Sequence, residues 1–101
     1  MTQIDIEQIS NSYTVVATKN QISSDAGDET IVLELEKGNY YGLGEVSSRV
    51  WQLIQQPISV EDLKNKILEE YEVSSEQCQQ DLHQLLKKML QLELIELSKS
   101  S

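Results

Sequence analysis

Catalysis or metal binding needs convergent polar side chains, and this sequence offers few. His83 is its only histidine and Cys78 its only cysteine. A metal centre requires several His, Cys or clustered carboxylates at set spacing, which one of each does not supply. Asp25, Asp28 and Glu29 gather three carboxylates around Gly27, but they match no calcium-loop spacing and read as an acidic solvated turn. Gly42 and Gly44 precede a helical segment, the beginning of an anion-site pattern. A third glycine, a long preceding strand and a βαβ context are all missing. Cys78 falls on the apolar side of its segment and reads as a buried structural thiol. His83 falls beside that stripe and reads as a surface histidine. The expectation is a chain with no catalytic residue, no metal site and no cofactor; it is not read as an enzyme.

The elements that could position a binding site come next. At 101 residues the chain fits one domain with a single core, and with no Phe, one Trp and four Tyr that core is aliphatic. Net charge is −9, with 7 acids and 2 bases before residue 39 and 10 acids and 6 bases after it. A field of that sign repels phosphates, so neither nucleic acid nor an anionic membrane is expected as a partner. Peptides and proteins remain. A lone cysteine fits a reducing cytoplasm, the expected location. The first ten residues lack the basic start and apolar run of a signal peptide. No stretch approaches the roughly 20 apolar residues of a membrane span.

Residues 1–12 are polar and non-periodic and read as a flexible N-terminal arm. Residues 13–101 read as a single domain, with strands over about 19–43 and helices over about 45–92. Short β-prone pieces run from Tyr13 to Asp25. Residues 30–36 then alternate, with Ile31, Leu33 and Leu35 on one face and Thr30, Val32, Glu34 and Glu36 on the other. That is the period-2 pattern of a half-buried antiparallel strand. Lys37-Gly38 reads as a two-residue hairpin turn, and Asn39 to Leu43 as the returning strand.

Three helices follow. The first spans about Val46 to Gln55, with Val46, Val50, Leu53 and Ile54 on its apolar face, Trp51 on its flank and Pro57 beyond its end. The second opens at Ser59 and carries Val60, Leu63, Ile67, Leu68 and Tyr71 as one stripe. The third opens on Ser74 and Gln77, a capping-box pair, and buries Cys78, Leu82, Leu85, Leu86, Met89 and Leu90. Residues 92–98 alternate again, either as a short strand or as an extension of the helix. The fold class is therefore α+β and winged-helix-like: a three-stranded antiparallel meander followed by a three-helix bundle.

A third strand at the end of a meander has one open side. Proteins usually block such edges with charge, proline or a bulge. Residues 39–43 carry neither charge nor proline. Two readings follow: an edge kept available for an added peptide strand, or one shielded by a helix.

The ordered set Leu33, Gly38, Tyr40, Tyr41, Leu43, Val50-Trp51, Val60, Leu63, Tyr71 and Asp81-Leu82 resembles the PqqD-like family of peptide-recognition domains. The resemblance covers about residues 20–97 and is greatest to the stand-alone recognition proteins of lasso-peptide biosynthesis. Leu43-Gly44 and Ser47-Ser48 depart from the family's commoner residues at the strand-to-helix junction. The resemblance implies a non-catalytic adaptor that binds the leader peptide of a ribosomally made precursor by β-augmentation. The leader would lie as an extra strand on the third strand, in the groove made with the third helix. A leader peptidase and an ATP-dependent macrocyclase of the same pathway are the implied partners. The alternatives are a chaperone for a radical SAM peptide-modifying enzyme, as for the quinone-cofactor relatives, and an acidic winged-helix transcription-related domain.

On this reading Asn39, Tyr40, Tyr41, Gly42 and Leu43 offer backbone pairing. Tyr41 and Leu43 share one face, Tyr40 and Gly42 the other, so one tyrosine joins the core and one borders the groove. Gly42 would let a peptide or helix approach closely. Asp81, Gln84, Leu85 and Lys88 line one edge of the third helix's stripe and form the expected groove wall. The opposite flank, with His83 and Leu86, is the other option.

Overall fold

The computed structural model describes residues 9–27 and 29–99. In chain order the elements are β1 (Tyr13–Ala17), β2 (Gln21–Ala26), β3 (Glu29–Glu34), β4 (Tyr40–Leu43), α1 (Glu45–Leu53), β5 (Ile58–Ser59), α2 (Val60–Glu70), α3 (Ser75–Gln91) and β6 (Ile95–Lys99). They form two three-stranded antiparallel sheets, ordered β5-β1-β6 and β2-β3-β4, around three helices.

The α+β class, the meander and the three helices match expectation; the first sheet is an addition. Of residues 92–98, Leu92 to Leu94 form the turn that ends α3 and Ile95 to Ser98 are strand, so the helix does not extend. Tyr13 pairs with Lys99 and Ala17 with Ile95, so β1 leaves the meander to join the end of the chain. Val15, Leu94 and Ile95 are buried there. Of the expected arm, residues 1–8 lie outside the described residues. Residues 9–12 are docked and not loose: Ile9 is buried, and the Asn11 carbonyl accepts from the Glu61 amide at 3.0 Å.

The helices start where side-chain acceptors satisfy their first free amides. Ser59 accepts from the Asp62 amide at 3.0 Å and Ser74 from the Gln77 amide at 3.1 Å. The Gln77 side chain does not complete the capping box; it donates to Asp81 Oδ1 at 2.8 Å. At its C-terminal end α3 closes with the paired bonds of a Schellman motif: Glu93 amide to Leu90 carbonyl, 3.1 Å, and Leu94 amide to Met89 carbonyl, 2.9 Å. Glu93 takes φ 61° there, the left-handed conformation that usually falls to glycine. Arg49 on α1 makes a forked ion pair with Glu70 at the end of α2, at 2.7 and 2.9 Å. That hydrogen bond, more than the charge, raises the Arg49 pKa and lowers that of Glu70.

The expected period of two is present in β3, and its more polar row is the one that faces inward. Thr30, Val32 and Glu34 are the buried row of β3, while Ile31 and Leu35 are exposed. Two inward polar residues find partners, which removes the usual reason to face water. Thr30 Oγ1 donates to Asp25 Oδ1 at 3.1 Å. Glu34 accepts from the Glu36 amide at 2.7 Å and the Lys37 amide at 3.0 Å. Those bonds make the β3–β4 turn a longer loop than the expected two-residue turn. The Glu34 amide donates to the Asn39 carbonyl, closing residues 35–38, with Gly38 at φ 75°.

Candidate peptide-binding groove

Strand β4 pairs with β3 on one side through Thr30–Leu43, Ile31–Gly42, Val32–Tyr41 and Leu33–Tyr40. No other described strand pairs with it, so its second edge is open. Register decides the two tyrosines. Tyr41 shares the inward face with Leu43 and packs, half-buried, against the core; Tyr40 is 72 % exposed on the outward face. The strand ends where Ser48, buried on α1, donates from Oγ to the Leu43 carbonyl at 3.0 Å. Ser48 thus fixes the angle at which α1 leaves the strand.

Across the open edge lies α3. A groove of about 310 Å³ runs between them, with Tyr40 to Leu43 on one wall and Leu85, Lys88, Met89 and Leu92 on the other. It meets a second hollow of about 480 Å³ between α1, the α2–α3 connection and α3, lined mainly by apolar groups that include Val46, Val50, Ile67, Val73 and Leu82. Ser47 and Leu85 border both, so the two form one trough along α3 with Leu85 at its middle. It sets β4 backbone groups that no described strand pairs on that side beside apolar recesses, with Asp81 and Lys88 as exposed charges.

The structure brings Tyr40, Tyr41, Gly42, Leu43, Leu85 and Lys88 of the expected set into the groove. Asp81 borders the larger hollow instead. Asn39 and Gln84 line neither; the Asn39 carbonyl is used in closing the hairpin loop. Gly42 is approached by no element: a Cβ there would meet nothing within 4 Å. Sequence reasoning missed Val46, Ser47, Val73, Met89 and Leu92. Val46 had been assigned to the buried face of α1 but is 42 % exposed. An apolar stripe wider than its neighbours can cover was the available clue.

The other flank of α3 does not reach the groove. Leu86 is fully buried in the core. His83 is half-buried with its Nε2 shut off from water and unpartnered, so it is not the surface histidine expected. Burial, and then the nearby Lys64 charge, lower its pKa from the ordinary 6.5. Cys78 is buried, and burial raises its thiol pKa. Among the described residues no group of three or more His, Cys, Asp or Glu side chains could hold a metal ion. No described helix is long and apolar enough to cross a membrane.

Residues 29–95 match the family model described as coenzyme PQQ synthesis protein D (PqqD). The chain belongs to the PqqD family. No curated protein is similar enough to count as a match. Among solved structures, TbiB1 in complex with the TbiA(beta) leader peptide superposes with a TM-score of 0.75 at 31 % sequence identity. The match covers 80 % of this chain and 94 % of that one. The PqqD-family match spans β3 to the first residue of β6, so the open strand, α3 and the trough between them all lie inside it.

Proposed function

We propose that this PqqD-family protein is a non-catalytic adaptor that binds the leader peptide of a ribosomally made precursor. The leader adds as an antiparallel or parallel strand on the open edge of β4, within the groove formed with α3. The loaded adaptor then presents the precursor to a leader peptidase and an ATP-dependent macrocyclase of a lasso-peptide pathway. The observation that carries this reading is the uncharged, unpaired β4 edge facing an apolar trough, in a chain similar to one solved with a leader peptide.

The energetics say which contacts matter. Strand β4 has four residues, Tyr40–Leu43. The few backbone hydrogen bonds it can offer are worth roughly 1 kcal/mol net each. That does not offset the ordering of a flexible peptide and the loss of its free motion. Apolar leader side chains buried in the trough must supply the surplus.

The test is a fluorescence-anisotropy titration of a labelled precursor leader peptide. Saturable binding is expected, and it should be lost when a proline is placed mid-leader, because proline removes a strand donor. Binding that survives the proline would refute strand addition. The family description favours one second reading of the same class, a chaperone for a radical SAM peptide-modifying enzyme. Titrating the adaptor with each enzyme type separates the two.

A further inference from the structure

Four of the five large hydrophobic side chains exposed among the described residues lie on the outward face of the meander, and of these only Tyr40 also borders the groove. Ile22 is 58 % exposed, Ile31 41 %, Leu35 49 % and Tyr40 72 %. Register gathers them: Leu33 stands between Ile22 on β2 and Tyr40 on β4, and Ile31 lies beside Gly42. The empty space above Gly42 leaves a shallow dent beside Ile31. An antiparallel sheet with one solvated face normally turns its polar row outward. Here Thr30 and Glu34 could have filled that role but face inward.

We propose that this face docks a processing protein that presents an apolar patch bordered by lysine or arginine side chains, beside the bound leader. This inference rests on the adaptor reading above. A second copy of the chain is the poorer occupant on charge: each copy carries −9, so face-to-face pairing opposes like charges.

A leader strand enlarges this face. Added to β4, it extends the same sheet, and alternate leader side chains point to the same outward side. A docking protein therefore meets the isoleucine row and the leader in one surface. Charge completes the description: Glu29 is exposed at the β2–β3 turn and Glu36 at the opposite end. These carboxylates, within a strongly acidic protein, select a basic border on the partner.

The experiment uses the full chain and two variants, the double variant Ile22→Thr/Ile31→Thr and the single Ile31→Lys. Threonine keeps the β-branched shape a strand favours, and neither position lines the groove. A purified leader peptidase and a purified ATP-dependent macrocyclase of the proposed pathway are each titrated against it by biolayer interferometry, with and without saturating leader. Leader affinity is measured separately by anisotropy, and folding by thermal melts. At least one enzyme should bind the wild type, and the double variant should weaken that binding by about tenfold, with leader affinity unchanged within about twofold. Ile31→Lys, which sets a cation against the partner's basic border, should weaken it further.

Enzyme affinities unchanged in both variants would overturn the proposal, as would a wild type that binds neither enzyme. A wild-type dimer in sedimentation that the double variant abolishes would overturn it in favour of a second copy. A leader that fails to bind refutes the adaptor reading and is scored apart from the enzyme titrations.

Discussion

Leu85 is where burial and charge can be separated as sources of leader affinity. It is half-buried in the free protein and borders both hollows of the trough, while Lys88, one turn on, is exposed. Leu85→Ala deletes three carbons, worth about 0.8 kcal/mol each when fully buried. Part of that surface is already covered before the leader arrives and drops out of the binding difference. About 1–2 kcal/mol then remains, a loss of affinity of about 5- to 30-fold at 1.4 kcal/mol per tenfold. Lys88→Ala removes at most an exposed ion pair, about 0.2–1 kcal/mol, or up to about fivefold, and less as salt is raised. The assay is the leader anisotropy titration at low and high salt, with thermal melts to confirm that both variants fold. A Leu85→Ala affinity within about twofold of wild type, beside a salt-sensitive loss of about tenfold for Lys88→Ala, would refute the argument that burial dominates.

Other consequences follow from the helix end and from His83. Glu93 holds a left-handed conformation that costs a side-chain residue about 1–2 kcal/mol, whereas glycine adopts it freely but loses more entropy on folding. Glu93→Gly should therefore raise stability by about 1 kcal/mol, read as a melting temperature higher by about 4–8 °C; a lower one would mean that the Glu93 side chain makes a compensating contact. The pKa of His83 is lowered in the folded state, so the unfolded chain takes up its proton first as pH falls. Its contribution to stability is present above about pH 6.5 and is lost as pH drops towards the folded pKa. The urea midpoint should fall between about pH 7.5 and 5.5, and His83→Gln should flatten that slope. The Glu70 carboxylate, held below 4.5 by Arg49, titrates in a more acidic window and does not interfere. An identical slope in the variant would exclude His83 as the source.

The helices were legible because their physics is local. Ser59 and Ser74 announce starts through their own side chains, and the apolar stripes recur at helical spacing. The sense of β3 was not legible. Alternation gives a period, but which row faces inward depended on whether Thr30 and Glu34 would find partners, and those partners are set by the turns at either end. Glu34 also explains the hairpin: the positive φ at Gly38 was readable, the buried carboxylate gathering the loop amides was not. The β1–β6 pairing escaped because neither strand signals a partner at the other end of the chain. At the site, the residues of β4 followed from the open edge. The α3 residues followed only in part, since the stripe edge is shared between two hollows and Asp81 falls to one while Lys88 falls to the other.

The terminal sheet has a practical meaning for engineering. Because Tyr13 stands opposite Lys99, the chain enters and leaves the fold through neighbouring antiparallel strands, with paired Cα atoms about 4.5–5.5 Å apart. A host loop whose ends lie close together can receive residues 9–99 as an insert, residues 9–12 included because Ile9 is buried in the core and the Ser10 carbonyl accepts from the Tyr13 amide. Both junctions then act as a stiff two-point hinge, not a single flexible tether, so the insert's orientation on its host is set by the sheet. The same geometry makes trimming unsafe. Removing β6 leaves Val16 and Ala17 without a strand partner and opens the core at Ile95.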